Sequence, residues 1–132
     1  MIAGVGIDLC EISRMEKLLS DGRFLSRFFS AEEQDYISGK GKTAAQSMAG
    51  IFAAKEALTK ALGVGLSGGA LSDIAVLHDD SGAPYYDLRG AWARLCQEKR
   101  VDRFHLSISH EGRLAAAMCL AERDGAFDAP HD

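Results

Sequence analysis

Cysteine, proline and long apolar runs are scarce in this sequence. Its 132 residues include two prolines and three cysteines, Cys10, Cys96 and Cys119. The cysteines are odd in number and lack a C-x-x-C spacing, so they indicate neither a disulfide framework nor a thiolate metal site, and we expect them to be buried. No apolar run approaches the ~20 residues of a membrane-spanning helix, and no basic signal-peptide region opens the chain. These absences favour a cytoplasmic protein without a membrane partner.

An excess of basic residues is also lacking. The formal net charge is -4, which argues against general affinity for nucleic acid because such binding needs a basic surface. The hydrophobic content of 47% is enough for one sizeable core. No linker or repeat divides the chain. We therefore predict a single domain over residues 1–124 and a polar C-terminal tail over residues 125–132.

The apolar periodicity predicts an α+β domain in which an antiparallel sheet packs against one long helix and several shorter helices. The predicted strands cover residues 2–9, 74–77, 85–88, 104–109 and 114–120. The predicted helices cover residues 12–19, about 43–62 and 91–99, with a short one after the capping box of Ser30 and Glu33. Residues 39–42 are predicted to form a loop, and residues 79–82 the turn of a hairpin.

The sequence FAAKEALTKALGVG, at residues 52–65, places two charges in small and apolar company. Glu56 and Lys60 are four residues apart, so on a helix they share one face. Gly63 supplies the left-handed stop of that helix. The pair has two interpretations: an ordinary ion pair on a solvated surface, or two groups directed at one ligand such as a metal-bound phosphate.

Asp8 closes the first predicted strand, a position where a scaffold presents functional groups. It could instead serve as a helix-starting acid, because aspartate is preferred near helix N-termini. Paired with Glu56, it would provide two carboxylates. Such a pair suits Mg²⁺, which keeps several waters and completes its octahedron with phosphate oxygens.

Ser107, Ser109 and His110 lie at the end of another predicted strand, just before a tight turn. Their hydroxyl and imidazole groups could hold a phosphate, or they could be turn-forming residues. Adjacent residues of a strand point to opposite faces, which argues against Ser109 and His110 acting as nucleophile and base.

Basic side chains are concentrated in the first two helical segments of this acidic chain, at Arg14, Lys17, Arg23 and Arg27. One interpretation is a solvated helix face. The other is a docking surface for an acidic partner, whose association would then depend on ionic strength.

Several motifs together resemble those of the holo-acyl-carrier-protein synthases, the small bacterial type of 4'-phosphopantetheinyl transferase. The resemblance covers almost the whole chain and keeps the family's order. The motifs are GVGIDLCEISRM at 4–15, RFLSRFFSAEE at 23–33, FAAKEALTKALGVG at 52–65, SGAPYYDLRG at 81–90 and LSISH at 106–110.

The resemblance implies the 4'-phosphopantetheinyl transferase fold and an enzyme that moves the phosphopantetheine arm of coenzyme A onto a serine of apo acyl carrier protein. The other product would be adenosine 3',5'-bisphosphate, and the reaction would support fatty acid biosynthesis. Mg²⁺ is the implied cofactor. Asp8 and Glu56 match the metal ligands and Lys60 a lysine beside the transferring phosphate, so these three are the implied catalytic residues.

The resemblance also implies a homotrimer with active sites between subunits. Coenzyme A would contact Lys60, Gly63 and Gly65, with Pro84, Ser109 and His110 as further contacts. Acyl carrier protein would dock on Arg14, Arg23 and Arg27. Two candidates for the general base remain: a water at the Asp8 and Glu56 cluster, and a carboxylate within residues 33–35.

Two positions depart from the family pattern. Ile51 replaces a basic residue of many relatives, and Val64 replaces a hydroxyl residue between two glycines.

Two other functions remain open at this stage: a non-enzymatic module that binds an acidic helical protein, and a different Mg²⁺-dependent nucleotide enzyme.

Overall fold

A computed structural model describes residues 1–124 and confirms the α+β prediction. The predicted tail at 125–132 lies outside the described residues. The strands are β1 (Ile2–Glu11), β2 (Ile74–His78), β3 (Pro84–Leu88), β4 (Arg103–His110) and β5 (Leu114–Glu122). The helices are α1 (Ile12–Leu18), α2 (Gly22–Phe28), α3 (Ala31–Ser38), α4 (Ala44–Leu62) and α5 (Ala91–Lys99). Short 3₁₀ turns occupy Gly41–Thr43, Gly65–Gly68 and Leu71–Asp73.

The strands form two antiparallel sheets. One has the order β1-β5-β4, and the other is the hairpin of β2 and β3. The long helix α4 packs against the first sheet, mainly on β1 and β5. Because α4 is rich in alanine, it forms readily and lies close to the strands.

Alternation along β1 separates two kinds of surface. Gly6 and Cys10 are buried on the side that faces α4, whereas Val5, Ile7 and Leu9 are exposed on the other side. Met118 of β5 adds to that exposed apolar side, which we call the outer sheet face. The side chains of a strand alternate, so the same ten-residue strand serves the core and this apolar surface at once.

The contact between β1 and α4 is at backbone distance. A Cβ atom built on Gly4 would lie 1.9 Å from the carbonyl oxygen of Ala61, and one built on Gly6 would lie 1.9 Å from that of Ala57. Only glycine fits at these two strand positions, because any side chain would overlap a helix carbonyl. The two glycines therefore set the depth at which α4 sits on the sheet.

The observed element boundaries lie close to the predicted ones, and β1 and β5 extend further than predicted. The strand predicted over 2–9 extends to Glu11, and the one predicted over 114–120 extends to Glu122, because the two strands pair along their whole length. The predicted capping box is present: Ser30 Oγ accepts from the Glu33 amide, and Glu33 Oε1 accepts from the Ser30 amide. No helix within residues 1–124 is long and apolar enough to cross a membrane.

The close approach of β1 and α4 predicts that Gly6→Ala destabilises the fold. We expect the free energy of unfolding to fall by about 1–3 kcal/mol or more, because the added methyl group must push the helix away. Urea unfolding, followed by circular dichroism, measures this change. Gly22→Ala is the matched control, since a Cβ there meets nothing within 4 Å; equal stability of the two variants would contradict the prediction.

Candidate active site

The candidate site lies where β1 passes the last turns of α4. Lys60 Nζ donates to Asp8 Oδ1 at 2.8 Å and to the carbonyl oxygen of Ile7 at 3.1 Å. The Lys60 side chain is 53% exposed and that of Asp8 is 13% exposed. The hydrogen bond to Asp8 raises the pKa of the Lys60 ammonium, so this lysine stays charged at neutral pH.

Glu56 lies one helical turn before Lys60 and faces the same region. Partial burial raises the pKa of Glu56, and the negative charge of Asp8 raises it further, while Lys60 and Arg14 act in the opposite direction. The two carboxylates are thus close enough to repel each other. Lys60 makes its salt bridge with Asp8, 52 positions away in the sequence. The sequence suggested an ion pair of Glu56 with Lys60. In the structure, Lys60 pairs with Asp8 instead, and Asp8, Glu56 and Lys60 form one cluster.

The glycines that follow this cluster end the helix. Gly63 has a φ of 74°, and its amide donates to the carbonyl oxygens of Thr59 and Lys60, the left-handed cap that the sequence predicts. Gly65 also has a positive φ of 60°. Both are exposed and have no atom within 4 Å of a built Cβ, so the backbone is open to a ligand just beyond Lys60.

A second group of predicted contacts lies near the other end of α4. Pro84 and His110 line a cleft of about 340 Å³ together with Tyr36, Lys40, Thr43 and Gln46. Gln46 Nε2 lies 3.2 Å from His110 Nε2. Gln46 and Lys60 are 14 residues apart on α4, which is about 21 Å along the helix axis. Within one chain, the two groups of predicted coenzyme contacts are thus far apart.

Ser109 does not join His110 in this cleft. The two are consecutive on β4, and Ser109 lies with Ser107 among the exposed residues of the outer sheet face. This placement agrees with the argument against a Ser109–His110 nucleophile pair, because their side chains leave opposite sides of the strand.

The basic residues of the first two helices are exposed, and two of them lie on aromatic rings. The guanidinium carbon of Arg14 is 5.3 Å from the centre of the Phe52 ring, and that of Arg27 is 5.3 Å from the centre of the Phe28 ring. Arg14 is also near enough to Glu56 to influence its pKa. The basic surface therefore extends from α2 to the edge of the candidate site.

The family model of the 4'-phosphopantetheinyl transferase superfamily matches residues 4–119 of this chain. The chain belongs to this superfamily. A holo-[acyl-carrier-protein] synthase of Treponema denticola is 48% identical over 122 residues, which are 92% of this chain and 99% of that protein. One of Halothermothrix orenii is 40% identical over 124 residues, covering 92% and 98% of the two chains.

Solved structures of such transferases agree with the fold. The holo-[acyl-carrier-protein] synthase of Neisseria meningitidis has a TM-score of 0.84 at 32% identity and covers 93% of this chain and 100% of its own. That of Bacillus anthracis, described in complex with CoA (3',5'-ADP), has a TM-score of 0.78 at 36% identity, covering 94% and 99%. The predicted transferase fold is therefore confirmed.

The carboxylates of this transferase suit a hard divalent cation. Among residues 1–124, no three His, Cys, Asp or Glu side chains come together to form a metal-binding group. Asp8 and Glu56 offer a two-carboxylate donor set, and a cation held between them would relieve their mutual repulsion. Mg²⁺ is the ion that uses one or two carboxylates and takes its other ligands from water and phosphate.

Three other predictions can be compared with the structure. Cys10, Cys96 and Cys119 are buried free thiols as expected, and burial raises the pKa of each to about 11. Glu33, one of the candidate general bases, is completely buried in an ion pair and is unsuited to that role. Ile51 lines the cleft near His110, where many relatives were expected to carry a cation.

The sequence did not predict Lys55, Lys40 or the stacked rings of Tyr36 and His78 as features of a site. Lys40 Nζ is 4.4 Å from the centre of the Tyr36 ring, and the His78 ring stacks on Tyr36 at 4.0 Å. These residues are brought together by α3 and β2, and no sequence spacing indicates that. Lys55 did carry a signal, because it stands three residues after Phe52 and three before Leu58 on the apolar stripe of α4.

Proposed function

We propose that this transferase moves the 4'-phosphopantetheine group of coenzyme A to a serine of apo acyl carrier protein, as a Mg²⁺-dependent holo-acyl-carrier-protein synthase in support of fatty acid biosynthesis. The observation that carries the proposal is the cluster of Asp8, Glu56 and Lys60 in a member of this superfamily. The free thiols of its three cysteines fit a cytoplasmic location, where cysteines stay reduced.

In the proposed reaction, the serine oxygen of the carrier protein attacks the phosphorus that bears the pantetheine arm. The bond from that phosphorus to adenosine 3',5'-bisphosphate breaks, and the leaving group keeps the electron pair. Asp8 and Glu56 would hold Mg²⁺, which would act as a Lewis acid towards the pyrophosphate oxygens when bound. Lys60 would stabilise the negative charge on the departing phosphate.

In the free enzyme, the salt bridge of Lys60 with Asp8 offsets the negative charge of a mostly buried carboxylate. Since the lysine side chain is long and half exposed, its ammonium group would also reach a phosphate bound beside Asp8. The serine proton must pass to a base other than Glu33, and two candidates remain: a water beside Asp8 and Glu56, and the exposed carboxylate of Asp35.

Coenzyme A is proposed to bind across two subunits. Gly63 and Gly65 adjoin the carboxylate cluster, whereas His110, Pro84 and Lys40 line the cleft about 21 Å away along α4. A neighbouring subunit that brings its own cleft to the cluster would complete one site from both groups. Ser109, on the outer sheet face, would then lie close to that neighbour.

The outer sheet face supports the subunit contact that the proposed homotrimer requires. Val5, Ile7, Leu9 and Met118 are large apolar side chains exposed on one sheet surface. An apolar surface of this kind, formed by adjacent strands, is typical of a subunit contact. The acidic carrier protein would dock separately, on Arg14, Arg23 and Arg27.

We predict that Asp8→Asn and Glu56→Gln each lower the transfer rate by more than about 100-fold, because the loss of a metal ligand removes several kcal/mol of transition-state stabilisation. Mass spectrometry of apo carrier protein incubated with coenzyme A and Mg²⁺ measures the added arm. A chelator should abolish transfer, and added Mg²⁺ should restore it. Glu16→Gln, an exposed acid of α1, is the control; full activity of either site variant would remove that residue from the site.

Reversal of charge in the basic surface should weaken carrier binding. For Arg23→Glu combined with Arg27→Glu, we expect the KM for carrier protein to rise about tenfold or more with little change in kcat, because the exposed charges guide association. Steady-state kinetics at several salt concentrations measure this effect. Arg94→Glu, at an exposed position of α5, is the control. An unchanged KM with an unchanged salt dependence would place the carrier elsewhere.

Light scattering after size exclusion should give a mass three times the 14.2 kDa of one chain. We predict that Ile7→Glu yields a smaller species with little transferase activity, since a carboxylate on the outer sheet face cannot be buried between subunits without a large cost. Leu66→Glu is the control for mass, because Leu66 and Ile7 are both 62% exposed and Leu66 lies outside the sheet. A fully active monomer would contradict the assembly.

A further inference from the structure

Lys55 is completely buried, and all three of its ammonium hydrogens have an acceptor. Its Nζ lies 2.7 Å from Glu33 Oε1, 2.9 Å from the carbonyl oxygen of Leu71 and 2.6 Å from that of Ile74. The Phe29 ring covers the same ammonium, with its centre 5.4 Å away. An ammonium group has three donors, so this site satisfies Lys55 entirely.

Glu33 is equally well satisfied. Its Oε1 accepts from the Ser30 amide as well as from Lys55, and its Oε2 accepts from the Val76 amide at 2.7 Å. The ion pair thereby joins α3, α4, β2 and the 3₁₀ turn before β2. We call these bonds the Lys55–Glu33 network.

Stability alone is a weak reason for such a network. Two charges lose their hydration when they are buried, and apolar replacements of similar volume often leave a protein equally stable or more so. What apolar packing does not supply is direction. Three bonds at fixed angles define the rotation of the helix segment that carries Lys55.

Two kinds of contact hold α4 near Glu56: its apolar stripe, with Phe52 and Leu58, is buried in the core, and its β1 side carries small residues. The helix faces β1 with Ala57 and Ala61 against Gly4 and Gly6, a close contact between small residues. The contact with β1 fixes the distance between the two backbones, and the Lys55–Glu33 network adds bonds of fixed direction to the apolar packing of Phe52 and Leu58. Successive helix residues are about 100° apart, so any turn at Lys55 moves Glu56 directly.

We propose that Lys55, held by Glu33, is a positioning residue that adds a directional restraint to the rotation of α4 and so keeps Glu56 directed at Asp8. The inference rests on the proposed role of Glu56 as a metal ligand. Lys55 itself does not touch substrate or cation, because Phe29, α3 and β2 enclose it. Its contribution is comparable to that of groups that orient metal ligands, whose loss lowers metal affinity about 10–100-fold.

The test replaces the ion pair by a neutral pair of similar size, Lys55→Met combined with Glu33→Gln. Lys55→Met alone would leave a buried carboxylate without its partner, and the fold would then suffer. Thermal unfolding and circular dichroism report whether the double variant is folded. The affinity for Mn²⁺, measured by electron paramagnetic resonance with coenzyme A present, reports the site without turnover.

For the double variant, we expect a parent-like circular dichroism spectrum, and Mn²⁺ affinity about 10–100-fold weaker than in the parent. The KM for Mg²⁺ should rise by a similar factor while the KM for carrier protein stays unchanged. The matched control is Glu32→Gln with Arg89→Met, which likewise neutralises an ion pair, here the surface pair of the adjacent α3 residue. That control should bind Mn²⁺ as the parent does.

A folded double variant with parent Mn²⁺ affinity would overturn the positioning role, and so would an equal rise of every KM. If the double variant and Glu33→Gln both fail to fold, the network serves stability and the inference is wrong. Glu56→Gln, measured in parallel, separates this inference from the proposed function. Parent Mn²⁺ affinity in Glu56→Gln would overturn the metal site and with it the positioning role. Weak Mn²⁺ affinity in Glu56→Gln, together with parent affinity in the double variant, would overturn the positioning role alone.

Discussion

The rest of the structure depends on the backbone contact between β1 and α4. Helix carbonyl oxygens of Ala57 and Ala61 rest on the strand at Gly6 and Gly4, where no side chain would fit. Asp8 is the next residue of β1 that faces the helix, and Lys60 lies between the two contact residues Ala57 and Ala61 of α4. The 2.8 Å salt bridge between Lys60 and Asp8 therefore depends on the close approach that these two glycines allow.

The same strand gives the molecule two unlike faces. Its helix side holds the core and the carboxylate cluster, while its outer side exposes Val5, Ile7 and Leu9. A small domain has too little interior to bury every apolar residue of a ten-residue strand, so Val5, Ile7 and Leu9 stay at the surface. In the proposed assembly, a second subunit would cover this outer face and would bring its own His110 cleft to the Asp8 cluster.

Local features of this fold could be predicted well from the sequence. The capping box of Ser30 and Glu33 and the cap at Gly63 depend on residues only a few positions apart, and both are present. The candidate acids Asp8 and Glu56 also stood out, since a carboxylate in apolar company is conspicuous. The partner of Lys60 was not predictable in the same way: a contact four residues away competes with one 52 residues away, and only the packing of β1 on α4 decides between them.

By itself, the sequence determined the elements and the chemistry available: helix and strand periods, two acids, one lysine and a basic first helical region. Those follow from each residue's own shape and charge and from neighbours within a turn or a strand pair. The tertiary structure alone decided that Glu33 is a buried partner of Lys55 and that the predicted coenzyme contacts fall into two groups. Each of these depends on which elements pack against each other, and burial changes what a charged side chain can do.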